Sequence, residues 1–209
     1  MGFFPVFLDL AERPCVVIGG GTVAQRRVET LLLAGASVTV VSPKLTPALS
    51  ALAAAGRVRH VARTYEPGDL ADATLVFTAV DDPAVSLAVA RQARERGVWI
   101  NAADDPANCD FILPGLVTRG VLTVAVGSSG ASPALTRALR EHLDTVLGPE
   151  WAALGDLAAR ARRELRAAGR ATDAETWRRA LAADVRALLA EGRVDEARGH
   201  LRARLALPA

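Results

Sequence analysis

The chain reads as α/β over its first half and as all-helical over its last third, and three observations predict that division. Short β-branched runs alternate with longer helical patterns up to about residue 104. A glycine-rich turn, Gly19-Gly20-Gly21, stands between the first such run and the first helix. Beyond Pro149 the sequence is helical throughout, broken only at Gly169 and Gly192. Strand–helix alternation implies parallel strands joined by right-handed crossovers, with helices on both faces of the sheet.

Taken in order, Cys15–Ile18 (CVVI) is an apolar run of buried-strand length. The stretch Gln25–Leu33 places Val28, Leu31 and Leu32 on one helical face, and Gly35 stops it. Ser37–Val41 is the second strand, ended by Pro43. A helix near Pro47–Ala55, strands at Arg57–Ala62 and Leu75–Ala79, a helix at Pro83–Arg96 and a strand at Val98–Asn101 complete the repeat. The rhythm then changes. Phe111–Val117 and Val121–Val126, separated by Thr118-Arg119-Gly120, predict a β-hairpin. The small-residue loop Gly127–Pro133 opens a helix running to about Leu147, with Ser132 as N-cap and Pro133 in its first turn. The expected division is 1–110, 111–148 and 149–209.

Charge and composition exclude several classes. The formal net charge is +2, and 51% of the residues are apolar, enough for a substantial core. Residues 1–149 sum to −1 and residues 150–209 to +3, the latter carrying only Arg as its basic residue. Those arginines lie at helical intervals among alanines, the pattern of a solvated helix surface. No helix-turn-helix or aromatic stacking motif accompanies them, so no nucleic-acid partner is expected. No stretch approaches the roughly 18 apolar residues of a membrane span, and the start lacks a signal-peptide pattern; a cytoplasmic protein is expected. Cys15 and Cys109 form no CxxC pair, and His60, His142 and His200 are scattered, so no metal site is expected.

The glycine turn carries the chemistry. Gly19 through Ala24 fits G-x-G-x-x-A, directly after a strand and opening a helix, the context that a dinucleotide site of the Rossmann type requires. Gly19 serves the tight turn, Gly21 lets the backbone approach a pyrophosphate, and Ala24 keeps the helix near the sheet. Amides around Thr22 and Val23 would face the phosphates. The acid that usually binds the adenosine ribose is missing, because the second strand ends in Ser42-Pro43-Lys44. Ser42 suits a ribose hydroxyl and Lys44 suits a 2′-phosphate, so these residues leave NAD and NADP both open. One tyrosine (Tyr65) and one lysine (Lys44) exclude a Tyr-x-x-x-Lys mechanism.

Several further motifs stand in a fixed order: Phe4-Pro5-Val6-Phe7-Leu8, Val17–Gly21, Ala79-Val80-Asp81-Asp82, Asn101–Pro106, Phe111–Pro114 and Gly127–Pro133. Together they resemble the precorrin-2 dehydrogenase family, which also forms the amino-terminal part of fused sirohaem synthases. The resemblance covers residues 3–147 and departs from the family at Val80 and Gly127. It implies NAD-dependent oxidation of precorrin-2 to sirohydrochlorin, with ferrous iron insertion in some members. It also implies a homodimer with residues 111–148 as the dimerisation region, and a site between that region and the nucleotide domain. It points to Asp104 as the catalytic carboxylate, at the carboxyl end of the sheet, where ligands of such folds collect. Ser128 corresponds to a serine beside the tetrapyrrole pocket. Arg119, Arg137 and Arg140 are candidates for the substrate's carboxylates, Asn101 for a cofactor contact and Asp81 for a helix cap. The competing class is a non-catalytic protein with the same glycine turn, sensing NAD or carrying tetrapyrrole, which would not require Asp104.

Overall fold

In a computed structural model of the chain, which describes residues 2–208, contacts divide the molecule into two compact units, Met1–Ile112 and Leu113–Ala209. The first unit is built on five parallel strands: β1 (Pro14–Ile18), β2 (Ser37–Val41), β3 (Arg59–Val61), β4 (Leu75–Thr78) and β5 (Trp99–Ala102). Their order is β3-β2-β1-β4-β5. The chain therefore reverses direction across the sheet between β1 and β4, and a crevice for ligand lies at such a switch point, beyond the carboxyl ends of the strands.

Both faces of the sheet are buried, which is why its strands are nearly continuous apolar runs. On one face Cys15, Val17, Val38, Val40, Leu75 and Phe77 pack with Ala24, Val28 and Leu31 of α1 (Thr22–Leu33) and Leu49 of α2 (Pro47–Ala54). On the other face Val16, Ile18, Val41, Val76 and Ile100 meet Val89, Ala90 and Ala93 of α3 (Pro83–Arg96). Burial drives the Cys15 thiol up to about 11, leaving it an inert core group.

The boundaries differ from the sequence expectation where backbone bonds intervene. The first helix starts at Thr22 rather than Gln25, because the Gly21 carbonyl already accepts from the Gln25 amide at 2.9 Å. The third strand is shorter than Arg57–Ala62, since the Arg57 amide is still closing α2 on the Leu52 carbonyl at 2.9 Å. The fifth begins at Trp99, with the Val98 amide bonded to Ala93 at the end of α3. Asp82, not Asp81, caps α3, its carboxylate accepting from the Ala84 amide at 2.8 Å.

The second unit opens with the expected antiparallel hairpin, β6 (Gly115–Arg119) and β7 (Leu122–Val126). Its first strand starts later than Phe111, whose ring stands edge-on to Phe77 at 5.5 Å and belongs to the first unit's core. Arg119 lies in the strand, and Gly120 makes the turn at φ +56°. α4 (Pro133–Val146) follows, then α5 (Glu150–Ala167), α6 (Ala174–Ala180), α7 (Ala183–Ala190) and α8 (Val194–Arg204). Leu154, Leu157 and Leu165 of α5 form a core with Val185, Leu188 and Leu189 of α7 and Leu201 of α8. No helix among the described residues is long and apolar enough to cross a membrane.

Candidate functional site

The glycine turn is shaped by three different demands. Gly19 adopts φ +119°, and a Cβ there would lie 2.2 Å from the Ala79 carbonyl oxygen, so nothing larger fits. At Gly20 a Cβ would collide with the Lys44 carbonyl oxygen, which draws the β2–α2 loop onto the turn. The Thr46 amide donates to the Gly20 carbonyl at 2.9 Å, and the Thr46 hydroxyl donates to Gln25 Oε1 at 2.8 Å. Gly21 is the opposite case. Nothing lies within 4 Å of a Cβ placed there. Open space at Gly21, close packing at Gly19 and a fully buried Ala24 fit a dinucleotide pyrophosphate over the turn.

Charge favours the same ligand. α1 has Gly21 as N-cap, without a side-chain cap or an acidic residue in its first turn. Its neighbours on the sheet differ, because Thr46 caps α2 and Asp82 caps α3. Thr22 and Val23, which carry the first amides of α1, are exposed residues, and among the described residues no side chain caps them at this positive end of a helix dipole. Beside β1, Thr78 ends β4 with its hydroxyl buried and unpartnered among the described residues. A buried polar atom left unsatisfied is costly, so the Thr78 hydroxyl is available to a polar group placed at the end of the sheet.

At the end of β2 the structure divides the predicted trio. Ser42 is buried, and its hydroxyl donates to the Lys44 carbonyl at 2.7 Å while accepting from the Lys44 amide at 3.4 Å. That hydroxyl closes the loop. Pro43 and Lys44 are exposed, and Lys44 enters no ion pair among the described residues. Asn101 is likewise buried, its amide donating to the Phe111 carbonyl at 2.9 Å, so it ties the end of the first unit to β5.

Asp104 stands at the same carboxyl edge of the sheet, in the turn after β5, at φ +58°. Asp and Asn tolerate that region better than other side chains. The turn is braced around it. The Ala103 amide donates to the Thr78 carbonyl at 2.9 Å, and Asn108 donates to the Asp105 carboxylate at 2.7 Å. The Cys109 thiol, raised in pKa by burial, sits 3.2 Å from the Ala102 amide. Asp105 thus does the structural work. The Asp104 carboxylate is exposed and accepts no hydrogen bond among the described residues.

Arg27 was not among the sequence candidates. It is half-buried on α1, in no ion pair among the described residues, and burial lowers its pKa while the charges of Asp104 and Cys109 act to raise it. Its guanidinium therefore lies in the field of the Asp104 carboxylate. A signal for it existed: Arg27 is three residues past Ala24 and four before Leu31, on the flank of the buried stripe rather than opposite it.

The remaining candidates lie in the second unit. The Ser128 hydroxyl donates to the Ser132 carbonyl and accepts from the Ser132 amide, both at 3.1 Å, folding the loop onto the start of α4. Arg119 is spent on the end of α4: Nε donates to the Leu147 carbonyl at 2.6 Å, and its Nη2 pairs with Asp144 at 2.9 Å. Arg140 flanks Gly115 and faces Glu141 at 3.5 Å, whereas Arg137 is exposed with no ionic partner among the described residues. No group of three or more His, Cys, Asp and Glu among the described residues is arranged to hold a metal.

Comparison with known proteins places this geometry. Residues 6–115 match a family model described as "Putative NAD(P)-binding". A siroheme synthase of Methylobacillus flagellatus is 46% identical over 159 residues, covering 76% of this chain and 34% of that protein. The siroheme synthase of Nitrosococcus oceani is 38% identical over 207 residues, covering 98% of this chain and 44% of that protein. The chain thus spans less than half the length of these curated relatives. A solved structure of SirC, precorrin-2 dehydrogenase, aligns over 98% of this chain and 100% of its own with a TM-score of 0.76, at 24% identity, and so shares the fold. With the matched segment running from before β1 to the start of β6 and containing the whole glycine-turn sheet, the chain belongs to this NAD(P)-binding family.

Proposed function

We propose that the chain is an NAD-dependent precorrin-2 dehydrogenase, oxidising precorrin-2 to sirohydrochlorin in sirohaem synthesis. One observation carries this reading: an anion-ready helix start on open Gly21 and an unengaged carboxylate, Asp104, share the carboxyl edge of one parallel sheet. The siroheme synthase relatives supply the substrate class. When bound, oxidised NAD would supply the two-electron acceptor that the oxidation needs.

The chain's own residues do the rest. The Thr22 and Val23 amides would hold the pyrophosphate, and the close contact of Gly19 with Ala79 fixes the shape of the turn. Asp104 accepts the proton that must leave the macrocycle as hydride departs, and carboxylates suit that task when they stand within hydrogen-bond reach. Arg27 adds a half-buried cation whose charge is felt in the field of Asp104. For the substrate's own carboxylates, Arg137 and Arg140 of α4 offer cations, with Ser128 in the preceding loop. Arg119 is better described as a cap for α4.

The assembly we propose is a homodimer. α4 has no buried residue in the single chain, and Leu135, Leu139 and Val146 along it are exposed. A second copy covering that stripe would bury what one chain leaves in water.

Purified protein given NAD and precorrin-2 should form NADH and sirohydrochlorin together. Asp104→Asn should keep nucleotide binding and lose at least about 100-fold in kcat, the usual contribution of a general base. Unchanged turnover in that variant refutes the role of Asp104. Nucleotide binding without oxidation by the native chain favours the sensing protein instead. Addition of Fe²⁺ to the same mixture tests iron insertion as a second reaction, read as conversion of sirohydrochlorin to sirohaem.

A further inference from the structure

We propose that this chain accepts NADP as well as NAD, with Lys44 as the residue that admits the 2′-phosphate of the adenosine ribose. The inference rests on the nucleotide site proposed above and deepens it. In folds of this type the end of β2 faces that ribose, and an Asp or Glu there both bonds the 2′-hydroxyl and repels a phosphate in its place.

Neither device is present here. Between Glu29 and Glu66 the chain carries no Asp or Glu at all, while Lys44, Arg57, Arg59 and Arg63 fall within that span. It includes the end of α1, the whole of β2, α2 and β3, and the loops between them. Of these cations, Arg63 is already matched by Asp69 at 2.7 Å and Glu66 at 3.5 Å. The only hydroxyl at the end of β2, that of Ser42, is buried and committed to the Lys44 backbone, so it does not select for a free 2′-hydroxyl.

Lys44 is held where it can act. Its carbonyl oxygen lies where a Cβ on Gly20 would be, so its backbone rests directly on the glycine turn. The Ser42 hydroxyl bonds on both sides of the Lys44 residue, and Thr46 ties the following backbone to Gly20 at 2.9 Å. The side chain itself is exposed and unpaired among the described residues. With the backbone fixed, only the Lys44 side chain has to be ordered for its free ammonium to meet a phosphate monoester at the ribose end of the turn. His60, whose Nε2 lies 2.9 Å from the Ser42 carbonyl oxygen, braces the same loop from β3.

The test is calorimetric titration of the full chain with NAD and with NADP, at low and at raised salt. The native protein should bind NADP with a Kd within about tenfold of that for NAD, and its NADP affinity should fall more steeply with salt, because an exposed charge pair is screened. Lys44→Glu should raise the ratio of Kd for NADP to Kd for NAD by about 30-fold or more, through like-charge repulsion. Lys44→Ala should move the same ratio in the same direction by less. A native chain that binds NAD but takes NADP more than about 100-fold more weakly overturns the proposal and leaves the nucleotide site intact. A ratio unmoved by Lys44→Glu removes Lys44 from the role. Binding of neither dinucleotide fails the nucleotide site itself and this inference with it.

Discussion

Helices α1 and α4 both follow a turn of small residues, Gly19–Gly21 in one unit and Gly127–Ser132 in the other, yet they are left incomplete in opposite ways. α1 is complete along its side, burying Ala24, Val28 and Leu31, and open at its start, where no side chain caps the first amides. α4 is complete at its start, where the Ser132 hydroxyl accepts from the Leu135 amide at 3.2 Å, and open along its side, with no buried residue. The difference lies in one position. Glycine at the N-cap leaves donors for a ligand, and serine at the N-cap uses them. Where a helix is unfinished indicates what will finish it: an anion at the end of α1, an apolar surface along α4.

The largest effect is expected from closing α1 as α4 is closed. Gly21 has φ −80° and ψ −171°, ordinary extended backbone, and open space where a Cβ would go. Gly21→Asp should therefore fold without strain and gain a few tenths of a kcal/mol as a better N-cap. The same carboxylate would occupy the pyrophosphate position, so nucleotide affinity should drop by about 100-fold or more, a loss of roughly 3 kcal/mol. Calorimetric titration alongside thermal unfolding reads both quantities. A variant that binds NAD as the native chain does would break the comparison at its first term. Gly19 has no such freedom, since even Ala there meets the Ala79 carbonyl oxygen at 2.2 Å.

The contrast between the two helices also explains what the sequence made legible. The parallel sheet was readable because both of its faces are buried, so its strands are apolar runs separated by amphipathic helices. Ser132 as a cap and Gly21 as an open glycine follow from local chemistry, and the structure has both. Residues whose side chains are taken up by the backbone of the folded chain were not readable. Ser42 and Asn101 look like ligand contacts in sequence, but Ser42 bonds across its own loop and Asn101 reaches ten residues ahead to Phe111. Arg119 looks like a carboxylate binder until Leu147 and Asp144, far along the chain, claim its guanidinium. Arg27 had only a weak signal, its place on the flank of the buried stripe of α1, and the packing of α1 on the sheet leaves it half-buried while Arg26 is exposed. The edge strand β3 came out shorter than expected because the α2 terminus claims the Arg57 amide, a competition the composition does not reveal.

A second test addresses the side of α4. Leu139 is exposed in the single chain, so Leu139→Arg should leave the fold of the protomer intact. If a second copy covers this stripe, a buried unpaired guanidinium should cost the assembly several kcal/mol and shift it to monomer. Sedimentation at matched concentrations separates the two states. A native chain that sediments as a monomer would deny α4 the partner proposed for it, and a dimer indifferent to Leu139→Arg would place the interface elsewhere.

The smallest effect is expected at the cap that α4 already has. Ser132→Ala removes the acceptor for the Leu135 amide at an exposed helix end, where water replaces it, so the cost should be about 1 kcal/mol or less. Ser132→Gly should cost only a few tenths, because glycine also permits water to reach the amides. Denaturant unfolding followed by helical signal measures both. Nucleotide affinity should not move in either variant, since the anion belongs to the other turn. The sign is the informative part: adding a carboxylate cap to α1 is expected to stabilise the chain and abolish binding, whereas deleting the hydroxyl cap of α4 is expected to destabilise it and leave binding alone. A Ser132→Ala chain that lost NAD as well would mean that the two helix starts are not independent, and the division between an end kept for ligand and an end closed for folding would fail.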